Sequence, residues 1–284
     1  MKKIIVLFLL LFICIETIAF DFSSISASGQ VLFYNINNNT NTVSVTAPVH
    51  TKVKSSYIGY AKPSGNLIIP NVVTNNGTTY IVTAIDNSAF ANCTDIESVV
   101  ISDSIRIIGN EAFYNCNKLK TVKLGSNVKK IGASAFLSCS KLKEITFHNN
   151  ITEISKHAFS NCSSLEEISI PEKIANIEPY TFYSCENLKK ITLSSSLQTI
   201  GESAFAFCRE LDSVTLPESL KIIEAKAFSS CTNLKKINLP ESLTSIGALA
   251  FSSCTALTSV VLPKTLKEVS NALFSHCKSL ENIQ

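Results

Sequence analysis

Tryptophan is absent, methionine occurs once and glycine only nine times in 284 residues. So little glycine excludes collagen-like and glycine-linker chains. Charge is also scarce, at 17% of residues, and neither sign dominates: the formal net charge is +3. There is no electrostatic case for nucleic-acid binding. No P-loop, dinucleotide-binding, H-E-x-x-H or G-x-S-x-G pattern occurs. No C-x2-C or H-x3-H pair is present to chelate a metal. These gaps argue against an enzyme, and against a metal, cofactor or small-molecule site. Hydrophobic residues, in contrast, make up 45% of the chain. That is enough to bury a core and too much for a disordered chain.

The N-terminus reads as a signal peptide over residues 1–19. Lys2 and Lys3 precede a twelve-residue apolar run from Ile4 to Ile15, closed by Glu16. The run suits a leader core of roughly 7–15 residues and falls short of the ~20 that span a bilayer. Thr17-Ile18-Ala19 supplies small residues for cleavage. Cys14 offers a lipoprotein alternative, which the bulky Ile13 before it disfavours. Without Lys2, Lys3 and Glu16 the chain keeps 23 basic and 21 acidic residues, a net charge of +2. A secreted or cell-surface location is expected.

The rest of the sequence is governed by one period. Cysteines stand at 93, 116, 139, 162, 185, 208, 231, 254 and 277, each step 23 residues, and Phe precedes each by three, from Phe90 to Phe274. Three after each Cys comes Ile96 or a Leu, from Leu119 to Leu280. Six after comes Val or Ile, from Val99 to Ile283. Eight, twelve and fifteen after are apolar as well, and a Pro often follows the eighth (Pro171, Pro217, Pro240, Pro263). The unit is C-x2-L-x2-[IV]-x-[IL]-P-x2-[IL]-x2-I-G-x2-A-F-x2-C.

Eight apolar positions in 23 residues cannot close a core alone. Stacked coils place each apolar column beneath itself and cover it from both sides. The alternating [IV]-x-[IL] piece predicts a short strand, and equivalent strands would pair in parallel into one continuous sheet. Ile131, Ala135, Phe136, Cys139 and Leu142 share one face of a helical spacing, which predicts a short helix or turn opposite the strand. The fold expected is an α/β solenoid with a parallel sheet on its concave face.

The L-x-x-[IV]-x-[IL] core followed by I-G-x-x-A-F-x-x-C resembles the BspA-like surface antigens, the treponemal type of leucine-rich repeat. The resemblance covers 67–284, read as a solenoid of about nine repeats. It implies a right-handed superhelix, and a surface antigen or adhesin whose relatives are associated with host extracellular-matrix proteins and with aggregation between cells. One departure concerns the Asn ladder position of ordinary leucine-rich repeats. It holds Ser104, Asn127, Asn150, Lys173, Ser196, Ser219, Ser242 and Thr265, so no Asn ladder is expected.

The ends differ. Residues 20–66 carry no repeat and read as a β-rich N-terminal cap, with a hairpin formed by Gln30–Ile36 and Thr42–Thr46. A turn signal at Asn75-Asn76-Gly77 stretches the first coil, 67–89, by a second hairpin. At the other end Leu280 and Ile283 hold core columns almost to Gln284. An exposed sheet edge there would favour self-association through the C-terminal end; a chain shortened relative to its relatives is the alternative.

The nine phased cysteines read as buried thiols acting as small hydrophobes, since stacked side chains would point in parallel. His50, His148, His157 and His276 fall at unrelated phases and read as scattered surface residues. The sharper candidates are outward strand positions: Lys120, Lys123, Lys143, Glu144, Glu166, Glu167, Lys189, Lys190, Asp212, Lys235 and Lys236. Bands of opposite sign partly alternate along the sheet, as a charge-patterned protein-binding face would require. The same residues would equally serve solubility. The expected partner is a protein, with a host matrix protein implied by the resemblance. A structural self-associating component and a released effector that binds a host protein are the alternatives.

Overall fold

The computed structural model describes residues 17–50, 55–266 and 268–284. The apolar leader run lies outside them; the first described residues, Thr17–Ile18, pair antiparallel with Val49–His50.

About nine coils stack as a β-solenoid of the leucine-rich-repeat type. Each contributes two short strands to two different faces. The strand after the cysteine builds what we call sheet A. There Ile96–Ile101 pairs in parallel with Gly65–Ile69 and Thr121–Lys123, which in turn pairs with Glu144–Ile145. Glu167–Ser169 pairs with Lys190–Thr192. Ser213–Thr215, Lys236–Asn238, Ser259–Val260 and Asn282–Ile283 complete the face. The expected single sheet is thus interrupted after Ile145 and again after Thr192. Strands of two or three residues make few ladder bonds, so small offsets open the ladder. At the first break sheet B is open too, between Ile154 and Asn176, and turn bonds such as Phe159 N to Thr181 O span the junction.

A second ladder, sheet B, was not anticipated. Thr78–Ile85, Ile107–Ile108, Lys130–Ile131 and Glu153–Ile154 pair in parallel, and Asn176–Ile177, Thr199–Ile200, Ile222–Ile223 and Ser245–Ile246 continue the face. Its inward residue is the Ile fifteen after each cysteine.

The third side corrects the helix expectation: no helix occurs among the described residues. Around Phe113 the N–H groups alternate between two uses. Ala112, Tyr114 and Cys116 donate to carbonyls three residues back in their own coil, at 3.4, 3.0 and 3.2 Å. Glu111, Phe113 and Asn115 donate instead to Ala133, Ala135 and Leu137 of the next coil, at 2.8, 2.7 and 2.8 Å. An α-helix would need every N–H for the fourth residue back. The backbone also turns left-handed twice per coil, as at Glu111 (φ 55°) and Asn115 (φ 57°), which ends any helical run. Chained tight turns result, bonded to their neighbours like a third ladder.

Side chains complete the register. The Phe column is continuous from Phe90 to Phe274, with ring centroids 5.1–5.7 Å apart and planes within 15°. Rings from Phe90 to Phe251 are fully buried. Gly follows the sheet B Ile in four coils (Gly109, Gly132, Gly201, Gly247), where backbones approach closely: a Cβ on Gly132 would lie 2.6 Å from Asn110 N. Ser155, Glu178 and Glu224 take the position in other coils. The loop after sheet A is held despite lacking a uniform Asn ladder. Asn127 and Asn150 amides donate to Asp103 O and Ser126 O at 2.9 Å each, while the Ser219, Ser242 and Thr265 hydroxyls donate to Leu197 O, Leu220 O and Leu243 O at 2.6, 2.7 and 2.6 Å. Any residue able to donate to the preceding coil suffices.

At the N-terminal end Val31–Asn37 and Thr42–Thr46 form the expected antiparallel hairpin, with Phe22–Ile25 along its outer edge. Thr42–Thr46 then runs parallel to Thr78–Ile85, so the hairpin extends sheet B. Leu32, Phe33, Tyr34, Val45 and Tyr57 are buried over the first coil, where the Tyr57 hydroxyl donates to Ala89 O at 2.9 Å. The stretched first coil is a hairpin of Val72–Asn75 and Thr78–Ile85, turning through Asn76 (φ 48°) and Gly77 (φ 75°). Both values suit the type I′ turn that an Asn-Gly pair favours.

Two outcomes follow for stability. Phe182→Ala, covered by rings on both sides, should cost ~3–5 kcal/mol by denaturant unfolding, whereas the half-buried Phe274 should cost clearly less. Equal losses would contradict stacking. Lys226→Gly, at an exposed left-handed position (φ 58°), should stabilise by ~0.5–1 kcal/mol, because relief of left-handed strain outweighs the extra chain entropy.

Candidate binding face

Sheet A carries its side chains alternately in and out, so the residues flanking each buried Val or Ile face solvent. All eleven charged candidates are exposed there. They form two rows. In one, Lys120, Lys143, Glu166 and Lys189 are tied coil to coil by backbone bonds of 2.9–3.2 Å, and Lys235 N donates to Asp212 O at 3.0 Å. In the other, Thr121 stands beside Glu144, Glu167 beside Lys190, and Ser213 beside Lys236; Lys123 stands one position further along, beside Val100.

Neighbouring backbones do not make paired charges. Of the candidates only Lys120 forms an ion pair among the described residues, 2.7 Å from Glu97. A second pair, Lys118–Asp95 at 2.7 Å, lies beside it. Sequence reasoning passed over Asp95, Glu97 and Lys118, although the 23-residue step puts Glu97 in the Lys120 column. The hydrogen bond and charge of each lysine hold the Asp95 and Glu97 carboxyls below their ordinary range. Such exposed pairs add little stability. The other candidate lysines of this face have no carboxylate within ion-pair distance among the described residues; the third ion pair, Lys130–Glu153 at 2.8 Å, lies on sheet B.

The face is grooved. A trough of about 630 Å³ is lined by Lys123, Glu144 and Thr146 with Asp103, Ser126 and His148. Another of about 710 Å³ is lined by Lys189, Lys190 and Asp212 with Glu172, Ser195 and Pro217. The carboxylates on the loop side are occupied. Asp103 accepts the Ser126 N–H and hydroxyl at 2.7 and 2.9 Å, which holds its carboxyl below the ordinary range. Glu172 takes the Ser195 N–H and hydroxyl at 3.1 and 2.8 Å. Lys123 and Glu144 in the first trough, and Lys189 and Lys190 in the second, form no ion pair among the described residues.

The histidines stay apart. The His148 Nε2–H donates to Gly125 O at 2.6 Å. His157 lies on the turn side, where burial and then Lys156 push its pKa down. Among the described residues no three His, Cys, Asp or Glu side chains gather as a metal site, and no helix is long and apolar enough to cross a membrane.

The cysteine column does more than fill space. Each thiol from Cys116 onward donates to the Phe carbonyl of the preceding coil, at 3.0–3.4 Å, beginning with Cys116 to Phe90 O. The nine are free thiols, buried except for the half-buried Cys277. Burial pushes Cys93, Cys139 and Cys231 up to about 12 and their neighbours in the same direction.

The family model for the BspA type leucine rich repeat region matches residues 83–211 and 175–284, in six copies. The chain belongs to this family. It is similar to a leucine-rich repeat protein from Bacteroides ovatus, 29% identical over 89% of this chain and 69% of that one, with a TM-score of 0.75. It is also similar to a leucine-rich repeat protein of T. pallidum, 26% identical over 80% of this chain and 87% of that one, TM-score 0.56. A leucine rich cell surface protein from Faecalibacterium prausnitzii shares the fold at 23% identity over 93% and 94% of the two chains, TM-score 0.57. No curated protein matches the chain.

The thiols generate a pH dependence. An unfolded thiol ionises near 9 and the folded Cys139 near 12, so the fold binds the proton more tightly. The stability this confers is fully present below pH 9 and is lost as pH rises toward 12, by up to ~1.4 kcal/mol per pH unit for each buried thiol. The Tm under reducing conditions should therefore fall steeply above pH 9. Thiol-reactive reagents at neutral pH should label Cys277 well before any of Cys116 to Cys254.

Proposed function

We propose that the chain is exported and acts at the cell surface as a protein-binding module, with sheet A as the contact face. The observation that carries this reading is the grooved sheet on which Lys123, Lys143, Lys189, Lys190, Lys235 and Lys236 form no ion pair among the described residues, while the core beneath is closed. Membership of a family of non-catalytic repeat scaffolds and the leader-like N-terminus support it. Outward positions between the charges are small and polar, Thr146, Ser169, Thr192, Thr215 and Asn238, so the contact is broad and electrostatic rather than anchored by a few large side chains. A host extracellular-matrix protein is the partner class that the resemblance implies. A structural, self-associating surface component is the alternative, which sedimentation across a concentration range decides. A concentration-independent monomer removes it.

The matrix reading is tested on immobilised fibronectin and fibrinogen. The expected outcome is saturable binding that weakens with salt and drops about tenfold when Lys189, Lys190, Lys235 and Lys236 are changed to Glu. Flat, salt-insensitive background would remove it.

A further inference from the structure

Three successive coils place rings at left-handed positions of the turn side. The position five before each cysteine varies along the stack, with Ser88, Glu111, Ser203, Lys226 and Leu249 among its residues, and holds rings at His157 (φ 57°) and Tyr180 (φ 59°). The left-handed position one before the cysteine is Asn or Ser from Asn92 to Ser184, then Phe207 (φ 64°). Asn and His are enriched in this conformation, whereas Tyr180 and Phe207 carry bulky side chains that seldom adopt it. Strain of this kind is retained where the surroundings or a function require it.

The rings meet. His157 and Tyr180 stack with centroids 4.7 Å apart and planes at 10°. Tyr183 lies 5.7 Å from Tyr180, and Phe207 lies 5.3 Å from Tyr183, both strongly tilted. All four are half-buried rather than covered. Carboxylates sit among them. Glu202 accepts the Tyr180 hydroxyl at 2.8 Å, and Glu224 accepts the Glu202 N–H at 2.8 Å. Glu178, two residues before Tyr180, is exposed. Lys156 and Lys226 mark the two ends of the ring column. The chain as a whole is weakly basic, so this acidic and aromatic corner differs from the bulk surface.

We propose that this corner docks an arginine-bearing segment of a partner protein, its guanidinium set against the rings and paired with Glu202 and Glu224. Glu202 and Glu224 each spend one oxygen on these bonds, and an apolar or neutral partner would cover the other oxygen without pairing it, at a desolvation penalty. A guanidinium satisfies both demands, since it is weakly hydrated, stacks on aromatic faces and forks onto carboxylates. The site belongs to the same binding class as the proposed function but lies on another side of the coil, so either can fail alone.

The test uses the full chain and a fluorescent peptide of alternating arginine and glycine, with lysine–glycine and glutamate–glycine peptides beside it. Tyr180→Ser and Phe207→Ser restore residues that the same columns carry elsewhere, and should leave the melting transition in place. Phe207→Gly is a second variant that suits the left-handed backbone. Saturable binding is expected, strongest for the arginine peptide, weakened about tenfold by each ring variant and by Glu202→Gln, and unchanged by Lys189→Ala with Lys190→Ala. Absence of saturable binding, equal binding by the ring variants, or preference for the lysine or glutamate peptide would overturn the proposal.

Discussion

Each coil is too small to have an inside until another coil lies on top of it. A Phe ring needs a ring above and below, a Cys thiol needs the Phe carbonyl of the previous coil, and half the turn N–H groups need carbonyls of the next. None of these partners lies in the residue's own coil. Stability of such a chain is close to a sum over neighbouring interfaces. The 23-residue step is the geometric form of that dependence, because one inserted residue would move every column off its partner.

The three sides meet this constraint in different ways. Along the sheets N–H groups such as Lys120 and Arg106 point to the preceding coil, at Glu97 and Thr83, while others such as Ile170 point on to Thr192; on the turn side alternate N–H groups point to the following coil, as Phe113 to Ala135. Interruptions of sheet A after Ile145 and Thr192 leave the Phe column intact. Packing and turn bonds, rather than ladder bonds, therefore hold the stack through those positions. The cap continues the logic by presenting Val45 and Tyr57 to the first coil in place of a preceding one.

Buried side chains were legible in the sequence because burial fixes residue type column by column. The core was read from the Phe, Cys, Leu and Ile columns, and both N-terminal hairpins from alternation and an Asn-Gly turn. Backbone hydrogen bonding was less legible. The spacing of Ile131, Ala135, Phe136 and Cys139 fits a helix as well as chained turns, since both bury the same side. The distinguishing signal was present in Ser134 and Ser138, residue types that accept left-handed backbone. Sheet B escaped notice because two residues are too few to show alternation. The charged face could be named from strand phase. The ring corner could not, because Tyr183 and Phe207 stand at different phases and meet only once the turns are built.

A rigid stack thus presents distinct surfaces: a lysine-rich grooved sheet and an acidic aromatic corner, neither of which the core needs. Removing one whole coil, residues 186–208, tests the stacking account most directly against removing half of it, residues 186–196. The account predicts that the whole-coil deletion folds, with a cooperative melt and an unchanged β-rich circular dichroism spectrum, while the half-coil deletion does not fold. A half-coil deletion that folds, or a whole-coil deletion that does not, would contradict it.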